Sequence, residues 1–247
     1  MSEHFYTNIS KYYPHIFPFN PLQIEFLKHV LPYNGTRVLD VGCATGDLSF
    51  ALAHFGFPTW AIDFDAQMIE IAQNTKPEET MFPVFEQQDM RSIDQHYPAS
   101  FFDVVICFGN TLVHLLTDED IRKFIRATWN VLSTEGKLTI QILNYQHIID
   151  NKINRLPLID NEQVKFERLM VFHESSALID FNTKLTIKST SQEIDNSVKL
   201  HAIRKNRLQE LLEEGGFEGI EFFGNFKHEP LAENCLPLIV ICQKGKK

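Results

Sequence analysis

The stretch from Arg37 to Asp63, RVLDVGCATGDLSFALAHFGFPTWAID, constrains this chain more than any other. It opens with Val38, Leu39 and Val41, a short apolar run suited to a buried strand. Gly42-Cys43-Ala44-Thr45-Gly46 then makes a tight turn of small residues. Asp47 suits a helix cap or first turn, and Leu48, Ala51, Leu52 and Phe55 follow at helical spacing. A second strand, Thr59 to Ile62, ends on the carboxylate of Asp63. This strand–turn–helix–strand order is a βαβ unit of a nucleotide-binding α/β domain. Backbone N–H groups of the turn can approach a ligand, and the acid ending the second strand can accept from both hydroxyls of a ribose.

The turn itself narrows the ligand. A dinucleotide fingerprint, G-x-G-x-x-G, sets its middle glycine against a pyrophosphate, whereas here Ala44 holds that place and Asp47 follows Gly46. An acid there repels phosphate. A buried strand with an incidental aspartate accounts for Asp40 or Gly46 alone, but poorly for their combination with Asp63. In the form hhDhGCxTG, with an acid closing the second strand, the stretch resembles motif I of the class I S-adenosylmethionine (SAM)-dependent methyltransferases. SAM carries an adenosine without phosphate and a cationic sulfonium, so acids around the turn are compatible with it. The resemblance implies a Rossmann-like α/β fold: a mainly parallel seven-stranded sheet with helices on both faces. It also implies SAM as cofactor, S-adenosylhomocysteine (SAH) as product, and Asp40, Gly42, Cys43, Ala44, Gly46 and Asp63 as cofactor-binding residues.

At 247 residues the chain can bury a substantial core. Its formal net charge of −9, with no dense basic block beyond the Lys244–Lys247 tail, argues against nucleic acid as substrate. Cys43, Cys107, Cys235 and Cys242 lie far apart without a C-x-x-C pair, which points to reduced thiols rather than a metal site or a disulfide framework. The start, MSEHFYTNIS, lacks a basic segment followed by an apolar run, and no stretch reaches the length of a membrane span. A cytoplasmic enzyme is expected.

Four regions follow from the pattern: an N-terminal cap over 1–34, the cofactor-binding core over 35–150, an antiparallel β insertion over 151–203, and a closing helix with core strands over 204–247. Within the cap, Asn20-Pro21 precedes LQIEFLKHVL, a helix with Leu22, Phe26, Leu27 and Val30 on one face. The aromatics before it, Phe5, Tyr6, Tyr12, Tyr13, Phe17 and Phe19, have no regular period and suit either packing or a flap. Tyr13 is the candidate for the flap, since methyltransferases often place an N-terminal tyrosine over the cofactor. After Asp63, AQMIEIAQNT reads as a helix, Met81 to Gln87 as a third strand, and Phe102 to Phe108 as a continuous central strand. Asp118 to Leu132 reads as a helix, and Lys137 to Leu143 as a fifth strand running out through Asn144-Tyr145-Gln146-His147-Ile148. The family resemblance puts Phe64 and Met68 beside the adenosine, and gives Asp89 the adenine amino group with Met90 on the ring. By itself Asp89 could equally be a solvated loop acid, and Met68 helix core.

CFGNTLVHL, followed a strand later by NYQHI, looks like the glycine and sarcosine N-methyltransferase branch. That branch lines its SAM and acceptor pocket with a GN-x-x-x-HL segment and an NYD-x-I segment, which here brings in Phe108, Gly109, Asn110, His114, Asn144 and Tyr145. Two departures stand out. Leu143 occupies the place of an arginine that holds an amino-acid carboxylate, and Gln146 replaces the acid of the second motif. Glycine is therefore not carried over as acceptor. Arg168 and Arg204 suit either a substitute clamp or ordinary surface pairing. Lys165 to His173, Ala177 to Lys188 and Gln192 to Ala202 alternate apolar and polar residues as a half-solvated antiparallel sheet does, expected to cover the crevice or mediate oligomer contacts. Lys205 to Glu214 reads as a helix stopped by Gly215-Gly216, ahead of strands Gly219 to Phe223 and Leu236 to Cys242.

Methyl transfer from SAM is an in-line displacement that needs neither metal nor covalent nucleophile, only alignment and an unprotonated acceptor. Asn110, His114, Asn144 and Tyr145 are the candidate orienting groups. Of these only His114 could take a proton near neutrality, although packing or cofactor contact at a helix start suits it too. The expected reaction is methylation of a small-molecule acceptor at nitrogen. A tRNA or protein methyltransferase, and a SAM-binding regulatory protein without turnover, are the alternatives; an open acceptor cavity beside the methyl position separates turnover from binding alone.

Overall fold

The computed structural model describes residues 5–31, 33–173 and 176–246. Residues 1–4 of the N-terminal cap and Lys247 of the basic tail lie outside the described residues. The cap opens with α1 (Phe5–Ile9), a tight turn over Ser10–Tyr12, α2 (Tyr13–Ile16) and α3 (Leu22–Leu27). The irregular aromatic stretch is thus helical, in pieces too short to show a period. Ile9 and Ile16 are fully buried, and α3 ends at Leu27, short of the expected Leu31.

The Rossmann-like core then runs β1 (Val38–Val41), α4 (Asp47–His54), β2 (Thr59–Asp63), α5 (Ala66–Thr75), β3 (Val84–Gln87), β4 (Phe102–Cys107), α6 (Asp118–Val131), β5 (Leu132–Leu143) and α7 (Tyr145–Asp150). The insertion holds β6 (Ile159–Asp160), β7 (Val164–Phe172), β8 (Leu178–Ile187) and β9 (Gln192–His201), after which α8 (Lys205–Glu214), β10 (Phe217–Phe223) and β11 (Pro237–Lys244) close the core. Seven strands lie in the order β10-β11-β5-β4-β1-β2-β3. β11 is antiparallel to both neighbours and the remaining neighbours pair in parallel.

Alternation along the strands sorts the core. Val38, Val104 and Ile106 pack with Phe26, Leu27 and Leu52 on the face covered by α3 and α4. Leu39, Val41 and Val105 pack with Phe124, Ile125, Leu208 and Leu212 on the face covered by α6 and α8. All four β1 residues are buried because β2 and β4 flank the strand on both edges.

Several element boundaries differ from the sequence expectation, three of them for a local reason. β3 starts at Val84, since Pro83 has no N–H to give to the ladder. β5 begins directly after α6 at Leu132, and the Glu135-Gly136 turn lies within it, accompanied by a register shift against β4. Tyr145 to Ile148 forms α7 rather than continuing a strand, because the Asn144 side chain accepts from the His147 N–H at 3.3 Å and starts a helix there.

The insertion is a second sheet, β6-β7-β8-β9, in continuous antiparallel register from Val164↔Ile187 to Phe172↔Ile179 and from Leu178↔His201 to Ile187↔Gln192. One face buries Phe166, Met170, Ile179, Leu185 and Leu200 in the main core. The other carries solvated ion pairs such as Lys184–Glu193 at 2.8 Å and Lys199–Asp180 at 3.0 Å, which contribute little individually. Burial of the apolar face holds this sheet on the core. Phe17 of the cap meets Phe166 edge to face at 5.8 Å, and Asn8 donates to Asn196 at 2.9 Å, so cap and insertion are joined.

Candidate active site

A cavity of about 520 Å³ opens where the parallel strands end, as the switch point of an open α/β sheet requires. Its floor comes from the β1 turn, the ends of β2 and β3 and the segment after β4; its roof is Tyr6, Thr7 and Tyr13 of the cap with Val198 of β9.

The β1 turn takes left-handed backbone at Gly42 (φ +76°), Ala44 (φ +48°) and Gly46 (φ +89°). At Gly42 the missing side chain matters most, because a Cβ would lie 2.3 Å from Thr111 Cγ2. The turn presses against the segment after β4, whose Thr111 hydroxyl donates to the Phe108 carbonyl at 2.7 Å.

Asp63 organises the floor. One carboxylate oxygen accepts from the Ala44 N–H at 2.9 Å and the other from the Asp65 N–H at 2.9 Å, which aims the group across the cavity. Burial pushes its pKa up to about 6, against the pull of those backbone donors. Behind it, Asp40 is buried and accepts from the Ser49 hydroxyl at 2.6 Å; burial raises this carboxyl to about 6 as well. Asp65 caps α5 through the Gln67 and Met68 N–H groups, and its second oxygen accepts from the Thr7 hydroxyl at 2.7 Å, tying the roof to the floor.

His114, also in the cavity wall, is buried, its Nε2 lies 2.8 Å from the Tyr6 hydroxyl, and the two rings meet edge to face at 5.3 Å. Burial lowers its pKa to about 4, so the imidazole is neutral at pH 7.

Of the residues expected from sequence, Tyr13, Gly42, Ala44, Asp63, Phe64, Met68, Met90, Gly109 and His114 line the cavity. Asp40, Cys43, Gly46 and Phe108 are not among its lining residues. Asp89 does not line the cavity. Its carboxylate caps the tight helical turn over Met90–Gln95 and is gripped by the Arg91 guanidinium at 2.6–3.0 Å; burial alone would raise its pKa, but Arg91 outweighs this and holds it low. Gln88 and Met90, its neighbours, face the cavity instead.

Asn110, Asn144 and Tyr145 are also absent from the lining. Tyr145 is fully buried, with its hydroxyl accepting from Asn110 Nδ2 at 3.1 Å, while Asn110 Oδ1 accepts from the Leu143 N–H at 3.0 Å. Asn144 donates to the Cys235 carbonyl at 3.0 Å. Asn110 and Tyr145 thus tie the ends of β4 and β5 together, while Asn144 ties the end of β5 to the segment before β11. Arg168 donates to the Pro157 carbonyl at 2.7 Å and Arg204 pairs with Asp150 at 3.4 Å, so neither reaches the cavity. Sequence reasoning missed Tyr6, Thr7, Thr111 and Val198.

Residues 38–136 match the family described as "Methyltransferase domain", and this segment carries most of the floor just described. The glycine/sarcosine N-methyltransferase of Aphanothece halophytica is 28% identical over 204 residues, covering 82% of this chain and 74% of that protein. The chain is a class I SAM-dependent methyltransferase. A ubiquinone biosynthesis O-methyltransferase of Xanthomonas euvesicatoria pv. vesicatoria is 33% identical over 125 residues, covering 51% of this chain and 50% of that protein. The crystal structure of an S-adenosylmethionine-dependent methyltransferase from Clostridium acetobutylicum ATCC 824 superposes with a TM-score of 0.81 at 17% identity over 98% of this chain and 99% of that one, a likeness of fold. Its relatives therefore include both N- and O-methyltransferases by name. Among the described residues of this methyltransferase no helix is long and apolar enough to cross a membrane.

Proposed function

We propose that this enzyme methylates a nitrogen of a small-molecule acceptor. The observation that carries the proposal is the composition of the cavity: a ribose-type acid on the floor, room above it, and a wall holding no strong base. The residues suit SAM, which supplies an activated methyl group on sulfur. Asp63, already oriented by Ala44 and Asp65, has the remaining carboxylate lone pairs for two ribose hydroxyls. Gly42 leaves the room a close backbone approach requires, and Phe64, Met68 and Met90 offer apolar surface to the adenine. Gln87 and Gln88 line the same end and can bond its edge.

Nitrogen is favoured over oxygen by His114. A hydroxyl acceptor needs its proton removed as it attacks, and His114 Nε2 is already engaged with the Tyr6 hydroxyl at 2.8 Å in a buried setting that lowers its basicity. An amine entering as its free base already has its lone pair and needs only alignment. Tyr6 and His114, hydrogen-bonded to one another, orient that lone pair.

Calorimetric titration with SAH tests the cofactor half of the proposal. Saturable binding to the wild type and its loss in Asp63→Ala are expected. No binding by a folded wild-type protein would sink the assignment of the cavity.

A further inference from the structure

We propose that the acceptor is an amine without a carboxylate, with an apolar or aromatic body, held among the Tyr6, Tyr13 and His114 rings. The inference rests on the methyl-transfer reading above and adds the class of molecule methylated.

Charge is the first argument. Among the described residues the cavity is lined by the acids Asp63, Asp65 and Glu70 and by no lysine or arginine. Arginines that could have served are engaged elsewhere: Arg91 with Asp89 and Asp120, Arg168 with the Pro157 carbonyl and the Phe17 and Phe166 rings, Arg204 with Asp150.

Protonation sharpens this. An amino acid ready to attack has given up its ammonium proton and is a net anion, so its carboxylate would enter a cavity whose described lining holds three acids and no lysine or arginine. The methionine end of SAM does not meet that problem, because its own ammonium stays charged. A carboxylate-free amine is neutral when it attacks. Its nitrogen lone pair forms the new N–C bond as the C–S bond of SAM breaks with its electron pair going to sulfur, and the resulting ammonium releases a proton to water.

The rings are the second argument. Tyr6 stands edge to face with Tyr13 at 6.3 Å and with His114 at 5.3 Å, and Val198 closes the same end. Such a wall attracts apolar bodies, and ring faces stabilise the methylated ammonium as it forms.

Matched pairs differing only in the carboxylate provide the test: phenethylamine against phenylalanine, benzylamine against phenylglycine, methylamine against glycine. With the full chain and SAM, SAH release is measured at equal concentrations of free-base amine, and binding to the SAH-loaded enzyme is followed by calorimetry. The carboxylate-free member should be favoured by about tenfold or more in binding or kcat/KM, as an unmatched buried charge demands. Equal or better use of the amino acids overturns the proposal. So does failure of every amine to bind or react while SAH still binds, an outcome that leaves the cofactor reading standing; loss of SAH binding as well would instead remove the reading beneath it.

Discussion

Lowering the pH should weaken cofactor binding through Asp63 before it unfolds the protein. In the free enzyme burial raises this carboxyl from an ordinary 3.8 to about 6. A bound ribose donates hydrogen bonds to the ionised form, so binding draws the pKa down, and linkage then requires affinity to rise with pH up to about 6 and level off above it. At pH 7.5 nearly all free enzyme carries the charge, whereas at pH 5 about a tenth does for a pKa near 6. SAH affinity should thus fall about tenfold across that interval, roughly 1.4 kcal/mol. Calorimetry at half-unit steps, with circular dichroism to verify folding, measures the profile. The Asp63→Asn variant is the control, with weaker binding at pH 7.5 and a flat profile below it. A wild-type affinity unchanged between pH 7.5 and 5 would refute the reasoning, because the acid could not then be a ligand-facing group of raised pKa.

Four further outcomes follow from the geometry. Gly42→Ala should destabilise the protein by about 2 kcal/mol or more in urea unfolding, from positive φ and the clash with Thr111, with partial recovery when Thr111→Ala is added. Ser49→Ala removes the donor to a buried carboxylate and should cost about 1.5–3 kcal/mol near pH 7.5; the Asp40 carboxyl, raised to about 6, is protonated in the fold at pH 4.5, so the same substitution should cost less there. Tyr145→Phe should lower stability by about 1 kcal/mol while SAH affinity stays unchanged, since the hydroxyl serves Asn110 behind the cavity wall. Tyr6→Phe should lower kcat by about tenfold with little change in SAH affinity, once an amine substrate is in hand, because it frees the buried His114 ring.

The parts of the fold readable in the sequence are those whose signal is local. The β1 turn, Asp63 and the β7–β9 alternation depend on residues within one element or one connection, and neighbours along the chain settle them. Element junctions were harder. Asn144 is a residue type that caps helices, but asparagine serves loops as readily, and the turn from strand to helix there is what sends the tyrosine inward to Asn110 rather than out to a ligand. Asp89 was misleading for the opposite reason: Arg91, only two residues on, folds back onto it in the tight turn. Of the roof only Tyr13 was anticipated, because the other contacts join distant segments. Tyr6 meets His114 across 108 residues and Asn8 meets Asn196 across 188, and short helices with irregular aromatics carry no periodicity to announce them.

The α1 roof also sets how ligands come and go. It is five residues long and is tied to the rest by side-chain bonds such as Thr7–Asp65 and Asn8–Asn196, whereas the floor is part of a seven-stranded sheet. Although Ile9 anchors it in the core, so short a helix opens at less free energy than is needed to disturb the sheet. Exchange of product for fresh cofactor can therefore run through local fraying of one element, and the residence time of SAH becomes a property of the roof as well as of the pocket that recognises it.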